Sequence, residues 1–73
     1  MTGGFALADD AVRTAQETLR DLGFYTGAVN GETNADTQGA IRRFQLYKGL
    51  EATGTLDDRT SAALHEEALA APA

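Results

Sequence analysis

Seventy-three residues make one small domain, and a chain this short buries only about 60% of the surface it exposes when unfolded. Without cysteine there is no disulfide staple and no thiolate metal site, so a compact helical arrangement must carry the fold alone. Six Lys and Arg against eleven Asp and Glu leave a net charge of −5, which argues against nucleic acid or an anionic membrane surface as the main partner.

Residues 1–8 read as a loose lead with Gly3-Gly4 its most flexible point. Phe5-Ala6-Leu7-Ala8 is too short for a signal peptide and lacks the basic flank, and no apolar run approaches the roughly 20 residues of a membrane span. If the domain works outside the cytoplasm, its export signal is expected on a larger parent chain. Asp9 is a candidate N-cap, after which Val12, Ala15, Leu19 and Leu22 share one face of a helix over 10–22. Gly23 ends it. Residues 23–33 form a long connection, with Phe24, Tyr25 and Val29 as apolar material and bends at Gly27 and Gly31.

Asn34 caps a second helix to Lys48, whose core face is Thr37, Ala40, Ile41, Phe44 and one side of Tyr47. Gly49 stops it, and Leu50 folds back on the last turn. Asp57 caps a third helix with an apolar face of Thr60, Ala63, Leu64 and Ala68, before an alanine-rich tail or linker over 70–73. The chain also repeats itself: Gly31, Asn34, Thr37, Ala40 and Ile41 return 23 positions later as Gly54, Asp57, Thr60, Ala63 and Leu64. These features predict an all-α, compact three-helix domain over 9–69, with an internal pseudo-repeat and long Gly-rich loops that could pair briefly as extended segments.

Two runs carry a family resemblance. Gln16-x-x-Leu19-x-x-Leu22-Gly23-Phe24-Tyr25-x-Gly27-x-Val29-Asn30-Gly31 is followed by Thr37-x-x-Ala40-Ile41-x-x-Phe44-Gln45-x-x-x-Gly49-Leu50, then Thr53-Gly54 and Thr60-x-x-Ala63-Leu64. Over about residues 10–65 the chain resembles the peptidoglycan-binding-domain-like family, the small three-helix modules attached to bacterial cell-wall hydrolases. The resemblance implies a non-catalytic module of the cell envelope, periplasmic or extracellular, that delivers a fused amidase, muramidase, transpeptidase or protease to murein. Its partners would be the glycan strand or stem peptide and the fused catalytic domain. Some relatives serve instead as regulatory or pro-domains, so a protein-docking role on the same fold is the rival reading. The chain departs from the family pattern at Thr33-Asn34, where an aromatic residue and a glycine are common, and at Asn30, where Asp is common. Asn34 can take the left-handed conformation such a glycine supplies, whereas loss of the aromatic removes a stacking surface.

The candidate ligand residues are Tyr25, Asn30, Thr33, Asn34, Asp36, Gly39, Arg42, Arg43 and Leu46. Tyr25 either offers a ring to a sugar or peptide plane, or packs on Phe24 and Val29 with its hydroxyl in water. Ala35, Gly39, Arg42 and Leu46 form a helical strip where a ligand could approach the backbone while Arg42 or Arg43 meets a carboxylate; alternatively, Gly39 admits another segment of the domain itself. Gln16 and Gln45 could bond a ligand, but the neighbouring loops leave many backbone groups to satisfy, which favours a structural role. Thr37 and Thr60 should bond back toward their helix starts.

Metal and enzyme chemistry are disfavoured. Asn30, Glu32, Asn34 and Asp36 alternate like a calcium loop, but glycine falls second and the twelfth position is Ile41, which cannot ligate. His65 beside Glu66 and Glu67 lacks the converging ligands of a zinc site. No nucleophile, base and orienting group come together, so no catalysis, cofactor or metal is expected, and the domain is expected to be monomeric.

Overall fold

In a computed structural model, which describes residues 10–70, the chain forms α1 (Asp10–Leu22), α2 (Ala35–Lys48) and α3 (Asp58–Ala70). The proposed lead over 1–8, the Asp9 cap and residues 71–73 lie outside the described residues. Each helix packs on the other two. No strand forms among the described residues, so the extended pairing between loops does not occur.

The helix boundaries follow from local chemistry. Asn34 Oδ1 accepts from the Thr37 backbone N–H at 2.8 Å and lies 3.0 Å from the Thr37 hydroxyl, which satisfies an otherwise orphaned donor of the first turn. Asp57 does the same for Thr60, accepting its backbone N–H at 2.9 Å. Asn34 is the N-cap expected of it, and its φ of −105° and ψ of −174° are extended backbone, so the left-handed conformation open to asparagine is not used. At the other ends, Gly23 (φ 92°) and Gly49 (φ 75°) turn left-handed. Their closures match: Phe24 N–H donates to Leu19 C=O and Leu50 N–H to Gln45 C=O, both at 2.8 Å.

The core contains Val12, Ala15, Leu19, Tyr25, Ala40, Ile41, Phe44 and Leu64, all buried. Ala63 is only partly covered and Ala68 is exposed, so the third helix buries less of its expected face. Five polar side chains are buried alongside: Gln16, Thr18, Thr37, Gln45 and Thr60. With so large a polar share, stability depends on each of these groups finding partners. Thr18 is satisfied locally, its hydroxyl donating to Thr14 C=O at 3.2 Å. The others are satisfied by the repeat.

Gln16 projects from α1 beneath the first loop. Its Oε1 accepts from Asn30 N–H (3.0 Å) and Gly31 N–H (2.8 Å), while its Nε2 donates to Glu32 C=O and Thr37 Oγ1 (both 2.9 Å). All four hydrogen-bonding positions of the amide are thereby used. Gln45 projects from α2 beneath the second loop: its Oε1 accepts from Gly54 N–H (2.9 Å), and its Nε2 faces Thr60 Oγ1 (2.8 Å), Thr53 Oγ1 (3.0 Å) and Thr55 C=O (3.1 Å). Each partner of Gln45 stands 23 positions after a partner of Gln16. The repeat is therefore one loop anchor built twice, and the glutamines have the structural role.

Two predictions follow from the anchors and caps. Gln16→Ala would leave the Asn30 and Gly31 N–H groups without partners and the Glu32 carbonyl with only the Thr37 hydroxyl, at about 1–3 kcal/mol for each group left buried and unpaired. A loss of about 3–5 kcal/mol, most of the stability of a domain this small, should appear in urea unfolding.

The second concerns pH. Hydrogen bonds from the Thr60 backbone N–H and then its hydroxyl hold the Asp57 carboxyl below its ordinary value of 3.8. A depressed folded-state pKa gives stability that is present above the unfolded value and lost as pH falls through the folded one. The unfolding midpoint of the wild type should therefore drop more steeply below about pH 4 than that of Asp57→Asn, whose amide caps without titrating.

Candidate functional site

The first loop is shaped around Tyr25. The ring is 2% exposed, and its hydroxyl donates to Ala28 C=O at 2.6 Å, with Gln16 Nε2 and Thr37 Oγ1 each 3.4 Å away. Gly27 permits this, since a Cβ there would stand 2.8 Å from the Tyr25 hydroxyl. Neither expectation for Tyr25 holds in full: the ring is not offered to a ligand, and the hydroxyl is not in water. The long loop needs an internal pillar, and Tyr25 supplies it.

Asn30 and Asn34 are likewise committed to the framework. Asn30 Oδ1 accepts from Glu32 N–H at 2.9 Å, a short Asx turn, and Asn34 is occupied as the cap of α2. Thr33 and Asp36 are exposed.

Where the loop meets α2, the surface sinks into a shallow depression of about 120 Å³, lined by Phe24, Tyr25, Thr26, Ala35, Asp36, Gly39 and Arg43. Four of the nine sequence candidates meet here: Tyr25, Asp36, Gly39 and Arg43. A Cβ on Gly39 would meet nothing within 4 Å, so Gly39 does not admit another segment of the domain, and its surface is open. Arg43 and Asp36 form no ion pair with each other or with any other described residue. An uncommitted guanidinium therefore borders the depression, with its geometry free for a bidentate carboxylate contact.

Arg42 and Leu46 lie elsewhere. The Arg42 guanidinium rests against the second loop, 3.1 Å from where a Gly54 Cβ would stand, and Leu46 is 65% exposed outside the depression. The two arginines thus diverge, Arg43 to the first loop and Arg42 to the second. Sequence reasoning missed Phe24 and Thr26 as lining residues. Phe24 directly follows the helix-ending glycine, where a Schellman closure folds the next side chain back over the helix, and that position was its signal.

The repeat does not duplicate this surface. At the second loop the corresponding region is a polar hollow of about 470 Å³ lined by Leu50, Glu51, Asp57, Asp58, Arg59 and Thr60. Three carboxylates against one guanidinium make it poorly suited to an anionic polymer.

The sequence profile of the family described as "Putative peptidoglycan binding domain" matches residues 8–64, well over half of the chain. The chain belongs to this family. As a peptidoglycan-binding domain it is a binding module and not a catalytic one. Among curated proteins it is similar to the N-acetylmuramoyl-L-alanine amidase CwlM of Mycobacterium tuberculosis, with 40% identity over 62 residues. The match covers 85% of this chain but 15% of the amidase, so the chain spans a small part of that relative's length. No solved structure matches the chain significantly.

The open space at Gly39 gives a third prediction. Gly39→Ala should stabilise α2 by about 0.5–1 kcal/mol, since the methyl meets no neighbour and the unfolded chain loses freedom. Thermal unfolding should register this as a rise of a few degrees.

Proposed function

We propose that this domain holds peptidoglycan through the depression between the first loop and α2, and so retains an attached catalytic domain at the cell wall. The observation that carries the reading is the unpaired Arg43 beside the open Gly39 surface, in a member of the peptidoglycan-binding family. Murein carries carboxylates on its stem peptides, and a guanidinium is the side chain best matched to them. Asp36, Gly39 and Arg43 form the centre of the proposed contact; exposed Thr33 and Leu46 extend it, and Arg42 serves its second-loop side. Tyr25, Asn30 and Asn34 act from beneath by fixing the loop.

The shallow depression and the net charge of −5 favour weak binding to an anionic polymer. Fusion to an enzyme makes weak binding sufficient, because each encounter on the polymer is followed by others at high local concentration. The wall-amidase relative supports such a fusion and a place of action in the cell envelope.

A second reading has its own observation. An apolar groove of about 360 Å³ runs between α1 and α3, bordered by Ala15, Leu56, Leu64 and Ala68 among others. This surface favours docking onto another protein domain.

Sedimentation with purified sacculi separates the readings. The domain should pellet at low salt, and Arg43→Glu should reduce the bound fraction by about three- to tenfold, with less effect from Arg42→Glu. A wild-type domain that stays in the supernatant while a positive control pellets would sink the wall-binding reading. If that soluble domain co-elutes with the catalytic domain of its own polypeptide, docking takes its place.

A further inference from the structure

The two tyrosines occupy opposite environments. Tyr25, from the loop, is buried, whereas Tyr47, expected to close the core edge, is 65% exposed. It is nonetheless held in place. Its ring centroid lies 5.6 Å from that of Phe24 and 6.4 Å from that of Phe44, both in tilted contact, while Phe24 meets Phe44 edge-on at 5.9 Å. Such a triad fixes the ring at little further entropic cost, because Phe44 is fully buried and Phe24 half-buried.

The surroundings of Tyr47 are specific. On α2, Asp36, Arg43 and Tyr47 follow at i, i+7 and i+11, which places them on one flank of the helix. Phe24 lines the depression and also supports Tyr47, so the ring continues the same surface. Lys48 Nζ lies over the Tyr47 ring at 5.9 Å from its centroid, and its charge is answered by Glu67 at 2.8 Å. Arg43 is left as the uncompensated cation of this flank.

We propose that Tyr47, supported by Phe24, is a stacking platform for an amino-sugar ring of the glycan strand, and that Arg43 takes a carboxylate of the stem peptide attached beside that ring. This rests on the peptidoglycan reading above and names the part of the polymer that is held. A flat, rigid, solvent-facing aromatic ring suits the apolar face of a pyranose, while its hydroxyl stays free for the sugar's polar edge. The adjoining depression is small and open to solvent, which favours an extended polymer lying across the surface. The charge order fits as well, with one unpaired guanidinium directly beside the ring and the nearby ammonium already neutralised.

The test uses the whole chain with two ligands, peptide-free glycan oligosaccharides prepared from murein and the free stem peptide. With no tryptophan and only two tyrosines, one of them buried, ring resonances and tyrosine emission report on Tyr47 directly. Glycan should shift the Tyr47 ring signals saturably, whereas stem peptide should move Arg43 and leave the Tyr47 ring in place. Tyr47→Phe should retain sacculus binding, whereas Tyr47→Ala should weaken it by about three- to tenfold, with circular dichroism showing retained helices.

Wild-type binding that Tyr47→Ala leaves unchanged, or Tyr47 signals that follow stem peptide and ignore glycan, would overturn the platform while wall binding stands. Wild-type protein that ignores sacculi would overturn both. The wild-type titration decides the matter even if Tyr47→Ala does not fold.

Discussion

In this domain two side-chain amides take the place that a β-sheet would hold in a larger one. Loops of this length must satisfy their backbone groups, and a chain of 73 residues has no second layer to do so. Gln16 and Gln45 reach from the helices into the loops and accept loop N–H groups on one side of the amide while donating on the other. Their other contacts, Thr37 and Thr60, are held by the caps Asn34 and Asp57. Glutamine, loop glycine, threonine and cap thus form one connected polar unit inside an otherwise small apolar core. A network of this kind is stable only when complete, since a single missing partner strands the rest.

That unit explains why the scaffold was so legible in the sequence. The caps, the stopping glycines and the 23-residue repeat are all local chemistry, and each specified the helix it belonged to. The structural role of Gln16 and Gln45 also followed from counting loop groups in need of partners. The candidate site was less legible because it depends on which way side chains turn where two elements meet. Tyr25 and Tyr47 both stand near a helix end with a glycine two positions on, so the glycine alone does not say which ring turns inward. One is drawn inward by a glycine two positions on and a carbonyl three positions on. The other lies in the last turn of α2, where no described element covers it. The arginine pair shows the same limit: adjacent positions on a helix point about 100° apart, so Arg42 and Arg43 serve different loops.

The two copies have also diverged in charge. The first loop is capped by a neutral Asn34 and bordered by Arg43, while the second is capped by Asp57 with Asp58 and Glu51 beside it. A shared internal frame therefore supports a first surface with one carboxylate and one guanidinium, and a second with three carboxylates against one guanidinium. The proposed contact therefore lies on the first copy, away from the more acidic surface of the second.

Anchoring from beneath has an evolutionary consequence. Because the loops are held by amides on their inner side, the exposed side chains of Thr26 and Thr33 carry none of the hydrogen bonds that shape them. Selection can rewrite those positions without disturbing the frame, much as a fixed handle accepts interchangeable heads. One small module can in this way follow changes in wall chemistry from lineage to lineage, at almost no risk to its ability to fold.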